Sequence, residues 1–344
     1  MADSSLVFVA NSIDGSISTF TLADGTLTRL SVTPGVTGCS NFVVDAERDL
    51  LHASVKADAA GGPGVLTLSI DRTTGVLTPV VRRDLPDGAV NYLTLTRGGT
   101  VLLGAAYGAG YGFVGPVVDG VVGAPTARID FPNLHSVVAS SDGRFAYFVS
   151  LGADLVAQYA ITDDLTLEPL SPATVAAPTG SGARHIVLNR KEDAAYVLTE
   201  YSGEVLHFSR DPEAGTLTAV GAASAVDPAA GLARSRFGAD PTAEHLIWGA
   251  DLHFSGDDVL WASERSASIL APVRVAPDGS VQDAETFVVT EPQPRGFAVS
   301  RDGAWLVAAG ERSTAVALYA VSGDRLELRQ RTETGRGANW VRFA

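Results

Sequence analysis

A basic and an acidic side chain flank the two strands of a predicted hairpin near the middle of the chain. Residues 182–203 read GARHIVLNRKEDAAYVLTEYSG, in which two apolar strands, 185–188 and 194–199, surround a polar turn. Arg184 precedes the first strand and Glu200 follows the second. Because the start of one strand and the end of the next lie at the same edge of an antiparallel hairpin, the two side chains are expected to meet. A guanidinium can bind an anion and a carboxylate can activate water, so this edge could support hydrolysis of an anionic molecule.

The same hairpin frame recurs along the chain. The anchor of each copy, the residue that ends its first strand, is Asp45, Thr96, Ser140, Asn189, Ser255 or Ser300. Successive anchors are 44 to 66 residues apart. Periods of about 40–50 residues with several short strands in each are typical of propeller blades.

Two sets of positions share the edge that Arg184 and Glu200 occupy. Five residues before the anchors stand Ser40, Asn91, His135, Arg184, Ala250 and Arg295. About eleven residues after the anchors stand Lys56, Tyr107, Leu151, Glu200, Arg265 and Glu311. The hairpin geometry brings both sets to one mouth of the ring of blades. The candidate site comprises His135, Arg184, Glu200, Arg265, Arg295, Tyr107, Asn91, Lys56 and Glu311.

The chemistry expected of this mouth is hydrolysis or formation of an ester-like bond in an anionic molecule. Arginines bind carboxylate or phosphate, a carboxylate can deprotonate water, and histidine can carry a proton near neutral pH. Structural explanations also exist. Arg184 and Glu200 could form an ion pair that ties one hairpin together, and His135 could bond to backbone at a strand end. Lys56 and Glu311 could be solvated rim charges. Because all the candidate residues lie at one edge, a functional site explains them better than separate structural roles do.

The repeats predict an all-β fold. Two further strands follow each hairpin, joined by short segments rich in Asp, Gly, Ser and Pro. Six frames span residues 41 to about 331, and strands at 6–10, 16–22, 27–32 and 340–343 complete a seventh. We therefore expect a seven-bladed β-propeller of four-stranded antiparallel blades, whose N- and C-terminal strands share one blade. The whole chain is expected to form one domain, 1–344, with a loop insertion at about 220–250 that contains a short helical turn.

Composition excludes several classes of function. The 344 residues include 25 Lys and Arg against 39 Asp and Glu, a formal net charge of −14, which argues against nucleic acid as a partner. No apolar run reaches the roughly 18 residues that a membrane-spanning helix needs, so no membrane partner is expected. The first residues, MADSSLVFVA, lack the basic segment of a secretory signal, and Cys39 is the only cysteine. Together these features favour the cytoplasm.

Neither a metal nor a cofactor is expected. His52, His207 and His245 have no paired spacing typical of zinc, and no phosphate loop or GxSxG motif occurs. His185 is expected to point into its blade, and His253 is expected to face away from the channel. The four tryptophans are expected to pack in the core. The expected partner is a small anionic substrate, and the expected state is a monomer or a weak homo-oligomer.

Several motifs match one protein family. The runs HSVVASSDGRFAYFVSLGAD, GARHIVLNRKEDAAYVLTE, ADLHFSGDDVLWASERSAS, QPRGFAVSRDGAWLVAAGE and GRGANWV follow one another from His135 towards the C-terminus. In these runs the chain resembles the seven-bladed propeller lactonases, which include bacterial propeller-type 6-phosphogluconolactonases and fungal carboxymuconate-cyclising enzymes. The resemblance implies a catalytic role for four residues, His135, Arg184, Glu200 and Arg265. Arg295, in its QPRGF motif, occupies another position typical of the family.

Three departures from the family pattern lie at the mouth. Asn91 stands in a Val-Asn-Tyr segment where Pro-x-His is usual. Leu151, with Ser150 before it, stands at a position that is commonly polar in relatives, and Thr199 stands where asparagine often precedes the glutamate. Because these changes lie at the mouth, they concern the identity of the substrate more than the fold or the reaction class.

The resemblance implies a lactonase, for which 6-phospho-D-gluconolactone, opened to 6-phosphogluconate in the pentose phosphate pathway, is the best-supported substrate. Either His135 or Glu200 would be the general base for water. One alternative is a lactonase or lactonising cyclase for another anionic substrate, such as a carboxymuconate or another sugar-acid lactone. A second alternative is a non-catalytic propeller that binds proteins.

Overall fold

Thirty short β-strands form seven antiparallel sheets in the part of the chain that the structure describes. The structure is a computed structural model and describes residues 5–85 and 87–344. Within each sheet, strands that follow one another along the chain are paired, so each blade is an antiparallel meander. The prediction of an all-β, seven-bladed propeller with four-stranded blades is confirmed.

Three strands of blade 1 and all of blades 2 to 4 come from the first 176 residues of the chain. Blade 1 begins with β1 (Ser5–Asn11), β2 (Ser16–Ala23) and β3 (Thr26–Pro34). Blade 2 contains β4 (Phe42–Asp45), β5 (Leu50–Val55), β6 (Gly64–Ile70) and β7 (Leu77–Asp84). Blade 3 contains β8 (Tyr92–Thr96), β9 (Val101–Ala106), β10 (Tyr111–Val118), β11 (Val121–Val122) and β12 (Ala127–Asp130). Blade 4 contains β13 (Leu134–Ala139), β14 (Phe145–Ser150), β15 (Leu155–Ile161) and β16 (Leu167–Ala176).

The remaining strands complete the ring. Blade 5 contains β17 (Ala183–Leu188), β18 (Ala194–Thr199), β19 (Glu204–Arg210) and β20 (Leu217–Ser224). Blade 6 contains β21 (Gly249–Phe254), β22 (Val259–Glu264), β23 (Ile269–Val275), β24 (Val281–Gln282) and β25 (Val288–Val289). Blade 7 contains β26 (Gly296–Val299), β27 (Trp305–Ala309), β28 (Ala315–Ser322) and β29 (Arg325–Glu333). The last strand, β30 (Ala338–Phe343), returns to blade 1.

The inner strands of the blades surround the central channel. They are β4, β8, β13, β17, β21, β26 and β30; each contacts the next, and β30 contacts β4. In blades 3 and 6 the outer edge is divided between two short strands that both pair with the third strand. The closed order of the inner strands determines which side chains face one another across the channel.

The N- and C-terminal strands meet in blade 1, as the sequence predicted, because β1 pairs with both β2 and β30. The register of β1 and β30 shifts beside Asn11, whose buried side chain fills this irregularity. Asn11 Nδ2 donates to Ser18 Oγ at 3.0 Å, and Asn11 Oδ1 accepts from Thr334 Oγ1 and from Gly335 N, each at 3.0 Å. This side chain therefore joins the two ends of the chain.

The hydrophobic core lies between neighbouring blades. One cluster, for example, joins Phe145 and Tyr147 of blade 4 to Ile186 and Ala195 of blade 5. Because both faces of each blade are covered, the second strands of blades 4 to 6 are apolar except at their last one or two residues, and every residue of these strands, β14, β18 and β22, is buried. The predicted strand at 194–199 coincides with β18.

One predicted outer strand is displaced. The apolar residues between positions 165 and 170 predict the fourth strand of blade 4 there, whereas β16 begins at Leu167 and continues to Ala176. Leu165 has a positive φ of 58° and its N–H bonds to the carbonyl of Thr162 at 3.2 Å. This turn delays the start of the strand.

A segment at residues 225–248 connects β20 to β21. It contains a 3₁₀ helix (Pro228–Ala230) and a single helical turn, α1 (Pro241–Glu244). The Asp240 side chain caps α1 by accepting hydrogen bonds from the N–H groups of Thr242 and Ala243. Within residues 5–85 and 87–344, no helix has the length and apolar character required to cross a membrane.

Asn11→Ala is expected to lower the free energy of unfolding by about 2–3 kcal/mol, because it leaves the buried hydroxyl groups of Ser18 and Thr334 and the part-buried N–H of Gly335 without this partner. Urea unfolding followed by circular dichroism measures the change. Gln282→Ala, at an exposed position of β24, is the control and is expected to change stability by less than about 0.5 kcal/mol. Equal stability of Asn11→Ala and the wild type would show that this side chain does not join the termini.

Candidate active site

β-Bulges interrupt the inner strands at the mouth where the candidate residues lie. The register of β13 and β14 shifts at His135, and that of β17 and β18 shifts at Arg184. In blade 6 the register of β21 and β22 shifts at Ala250 and Asp251. A bulge leaves one residue without an opposite partner, bends its strand and re-aims its side chain. These positions therefore depart from the simple alternation that the sequence analysis assumed.

The nine side chains predicted for the site line one cavity of about 710 Å³. They are Lys56, Asn91, Tyr107, His135, Arg184, Glu200, Arg265, Arg295 and Glu311. Ser40 also lines the cavity, whereas Leu151 and Ala250, the other two positions of the predicted sets, do not. Trp248 and residues 88–90 and 108–109 complete the wall.

Glu200 lies between two guanidinium groups. Its Oε2 atom accepts a hydrogen bond from Arg184 Nε at 2.8 Å and another from Arg265 Nη2 at 3.1 Å. Its Oε1 atom has no hydrogen-bond partner among the described residues and is available to a ligand. Burial disfavours the carboxylate, but the charges of Arg265 and Arg184 together outweigh burial and lower the pKa of Glu200. The group is therefore ionised at neutral pH.

Arg184 and Arg265 are almost fully buried, with side chains 1% and 5% exposed. Arg184 Nη1 donates to His185 Nε2 at 3.0 Å and to the carbonyl of Ala250. Burial lowers the pKa of both arginines, that of Arg265 to about 9. A guanidinium group in a protein keeps its proton at neutral pH, so both side chains are charged. Within the described chain, Arg184 Nη2 and Arg265 Nη1 have no acceptor and are not fully buried. These two nitrogens can therefore donate to a ligand.

His135 is buried, and its Nδ1 atom has no hydrogen-bond partner in residues 5–85 and 87–344. Burial, together with the nearby charge of Arg184, lowers the pKa of His135 well below its ordinary value of 6.5. The imidazole is therefore neutral. An orphaned buried N–H is rarer than an unpaired acceptor, so the proton belongs on Nε2, the nitrogen that is not fully buried. His135 then offers the cavity a donor.

Asn91 holds its neighbours in place. Its Nδ2 donates to the carbonyl of His135 at 2.6 Å, and its Oδ1 accepts from the N–H of Tyr107 at 2.6 Å. The Tyr107 ring stands edge-on to the His135 ring, with centroids 5.6 Å apart. Since both ends of the amide bond to backbone, Asn91 fastens blade 3 to the bulge of blade 4.

Three charged side chains lie on the other side of the ring. Arg295 Nη1 is 3.2 Å from Glu311 Oε1, and both side chains are about one quarter exposed, at 24% and 23%. Lys56 is exposed and, within the described residues, has no carboxylate at ion-pair distance. These residues belong to blades 7 and 2, whereas His135, Arg184 and Arg265 belong to blades 4, 5 and 6.

Trp248 also belongs to the site, although its place in the sequence predicts packing in the core. The guanidinium carbon of Arg265 lies 3.6 Å from the centroid of the Trp248 ring, a cation–π contact. The expectation that all four tryptophans pack in the core is wrong for this residue, although Trp261 and Trp340 are buried. Its position two residues before Ala250, a mouth position, was the available signal.

The expectations for His185 and His253 are also wrong. The ring of His185 lies in the channel against the rings of Tyr92, His135 and Trp340, which come from blades 3, 4 and 1. His253 lies 3.5 Å from a guanidinium nitrogen of Arg342, on β30 of blade 1, and therefore also faces the channel. Side chains this long reach across the channel because the inner strands converge there.

The cavity is positively charged although the protein is acidic. It contains four cationic side chains, Lys56, Arg184, Arg265 and Arg295, against two carboxylates, those of Glu200 and Glu311. The chain as a whole carries a formal net charge of −14. This local excess favours an anionic ligand. Within the described residues, no group of three or more His, Cys, Asp or Glu side chains is arranged to hold a metal ion.

Comparison with known proteins identifies the family. A family model described as lactonase, 7-bladed beta-propeller, matches residues 7–343. The chain belongs to this family. A Klebsiella pneumoniae relative named 6-phosphogluconolactonase is 28% identical over 323 residues, which cover 93% of this chain and 92% of the relative. An Enterobacter relative of the same name is 29% identical over 325 residues, which cover 92% of each chain.

A solved structure shows that the ring is shared with other propellers. The periplasmic gluconolactonase of Pseudomonas aeruginosa superimposes with a TM-score of 0.84 at 21% identity, over 99% of both chains. At this identity the likeness shows the fold. Together with the family match, it places the cavity described above in a propeller of the lactonase family.

The imidazole of His135 is expected to stay neutral, with its proton on Nε2, when the pH falls through 6.5, where an ordinary histidine gains its second proton. The physical cause is burial beside the Arg184 charge, which holds its pKa below 6.5. Side-chain ¹⁵N NMR of histidine-labelled protein measures this, and His135→Gln identifies the signal by its disappearance. Titration with a midpoint near 6.5 would contradict the assignment.

Trp248→Leu is expected to lower kcat/KM for lactone hydrolysis by about tenfold or more, because it removes a buried cation–π contact of about 2 kcal/mol from Arg265. Steady-state kinetics with a lactone that the wild type hydrolyses measures kcat/KM. Trp305→Leu, in blade 7 and outside the cavity, is the matched control and is expected to keep wild-type kinetics. Equal losses in both variants would remove Trp248 from the site.

Proposed function

We propose that the protein is a lactonase that hydrolyses 6-phospho-D-gluconolactone to 6-phosphogluconate, a step of the pentose phosphate pathway. The observation that carries this proposal is the cavity with four cationic side chains and a largely buried carboxylate, Glu200, that has one oxygen free among the described residues, in a strongly acidic chain. The relatives from Klebsiella pneumoniae and Enterobacter that bear the name 6-phosphogluconolactonase support the substrate.

The arrangement around the ring suggests two functional halves. His135, Arg184 and Arg265 surround Glu200 on blades 4 to 6, and we assign the reacting lactone carbonyl to this half. Lys56 and Arg295 stand on blades 2 and 7, are more exposed, and are assigned to the phosphate. A phosphate accepts several charge-assisted hydrogen bonds, each worth roughly 1.5–3 kcal/mol.

Glu200 is the proposed general base. Its Oε2 is occupied by the two arginines, so Oε1 positions a water molecule and accepts its proton as the water oxygen attacks the carbonyl carbon. The carbon–oxygen bond of the ring then breaks, and the proton passes to the departing ring oxygen. His135 is less suited to be the base, since its cavity-facing nitrogen carries the proton.

The remaining donors stabilise the developing charge. Buried contacts hold the guanidinium groups of Arg184 and Arg265, and we propose that Arg184 Nη2 and Arg265 Nη1 donate to the carbonyl oxygen as it becomes an oxyanion. The Nε2–H of His135 is proposed to assist at the same oxygen or at the departing ring oxygen. One such preorganised donor typically contributes a factor of about 10²–10³ in rate.

Glu200→Gln is expected to lower kcat by about 10²–10⁴-fold and Arg184→Met by about 10²–10³-fold, with the fold retained.

Arg295→Met should raise KM for the phosphorylated lactone by about tenfold or more while leaving hydrolysis of gluconolactone unchanged. Stopped-flow consumption of both lactones, freshly prepared, measures these effects. Arg190→Met, at an exposed turn outside the cavity, is the matched control.

Two results would overturn parts of the proposal. No acceleration of either lactone by the wild type would reject the substrate, and muconates or other sugar-acid lactones would be tested next. An equal effect of Arg295→Met on both lactones would reject the assignment of Arg295 to the phosphate.

A further inference from the structure

A buried network behind the cavity connects blades 5 and 6. His185 Nδ1 lies 2.8 Å from Asp251 Oδ1, and His185 Nε2 lies 3.0 Å from Arg184 Nη1. The side chains of His185, Asp251 and Arg184 are 4%, 1% and 1% exposed. The second oxygen of Asp251, Oδ2, is 3.1 Å from His253 Nε2. The network ends at Arg184, whose Nε bonds to Glu200.

The partners of His185 determine its tautomer. A guanidinium nitrogen can only donate, so His185 Nε2 must accept the hydrogen bond from Arg184. The proton of the neutral ring is then on Nδ1 and is donated to Asp251. The directions of the pKa shifts agree: burial and the charge of Arg184 lower the pKa of His185 to about 3. The burial of Asp251 is outweighed by its contacts with His253 and His185, which hold its pKa well below 3.8. The pair is a neutral imidazole with a carboxylate.

Neighbouring rings clamp His185 in this orientation. Its ring centroid is 5.1 Å from that of Tyr92, 5.0 Å from that of His135 and 5.9 Å from that of Trp340. These rings come from three further blades, so the imidazole is wedged at the centre of the propeller. It cannot turn without displacing them, because protein interiors are close-packed.

We infer that His185 and Asp251 are positioning residues, which hold the Arg184 guanidinium in the orientation that it presents to the substrate. Arg184 Nε is bound to Glu200, and Nη1 is bound to His185 and to the Ala250 carbonyl. These contacts fix the plane of the guanidinium and leave only Nη2 for the cavity. The kinetic part of this inference rests on the proposed function, whereas the geometry does not depend on it.

A purely structural role explains the network less well. Replacing a buried ionic group by well-packed apolar side chains is often neutral or stabilising, so plugging the channel does not require a carboxylate and two histidines. The carboxylate determines which nitrogen of His185 carries the proton, and therefore which nitrogen can accept from Arg184. Polar side chains behind a functional residue commonly orient it in this way.

His185→Phe and Asp251→Asn test the inference. His185→Phe keeps a ring in the channel but cannot accept from Arg184, so kcat should fall about 10²-fold. Asp251→Asn retains an oxygen that accepts from His185 Nδ1–H, so its loss of kcat should be smaller, within about tenfold. His207→Phe is the matched control, because His207 is a buried histidine that stacks on Tyr196 outside the cavity.

An NMR measurement separates orientation from folding and needs no substrate. Side-chain ¹⁵N spectra should show His185 protonated on Nδ1 in the wild type and in Asp251→Asn, with His185→Phe identifying the signal. Hydrogen exchange at Arg184 Nε should be slow in the wild type and faster by about tenfold or more in His185→Phe, but not in His207→Phe.

The kinetic and NMR results together support or overturn the role of His185 and Asp251. An Nδ1–H tautomer, faster Arg184 exchange and a selective loss of kcat in His185→Phe support the inference. An Nε2–H tautomer, or kcat and exchange in His185→Phe equal to those of the wild type, would overturn it. Failure of the wild type to hydrolyse the lactone would reject the proposed substrate, and the tautomer and exchange results would still decide this inference.

Discussion

The carboxylate of Glu200, shared between the guanidinium groups of Arg184 and Arg265, is the interaction on which the site depends. A buried ionisable side chain keeps its charge only when it is paired with an opposite charge and hydrogen-bonded. Here the Glu200 carboxylate accepts a hydrogen bond from each guanidinium, and the two guanidinium groups supply the opposite charge. The carboxylate offsets the burial of two cations, and the cations keep its pKa low. Because both arginines use the same oxygen, the other oxygen and two guanidinium nitrogens are left for a ligand. The contacts that stabilise these three largely buried charges therefore also leave hydrogen-bonding atoms free to bind a ligand.

The propeller makes this arrangement rigid. Seven inner strands converge on one channel, and bulges in three of them turn short stretches of backbone towards its mouth. Asn91 fastens the bulge of blade 4 to blade 3, and the Trp248 ring supports Arg265. Behind the cavity, Asp251 and His185 reach Arg184 from the centre of the ring. Donors held in this way need little reorganisation when charge develops on a substrate, which is the usual source of electrostatic catalysis.

Much of the fold could be predicted from sequence because a blade is a local unit. The recurring hairpin frame indicated the number of blades, and the apolar run of β18 indicated its bounds. Details that depend on the conformation of a turn or on a neighbouring strand could not be predicted from the hydrophobic pattern. The positive φ of Leu165 delayed β16, and the bulges at His135 and Arg184 leave no mark in a hydrophobic pattern. Trp248 was assigned to the core because a tryptophan beside a strand usually packs there.

The sequence by itself determined that Arg184, Glu200 and the other candidate residues share one edge, because strand direction alternates regularly along a meander. Only the tertiary structure decided how these side chains meet. It placed His185 in the channel, close to side chains from blades 1, 3, 4 and 6, rather than in its own blade. The physical reason is closure of the ring: residues far apart along the chain face one another only when the inner strands converge, and a bulge changes where each side chain points.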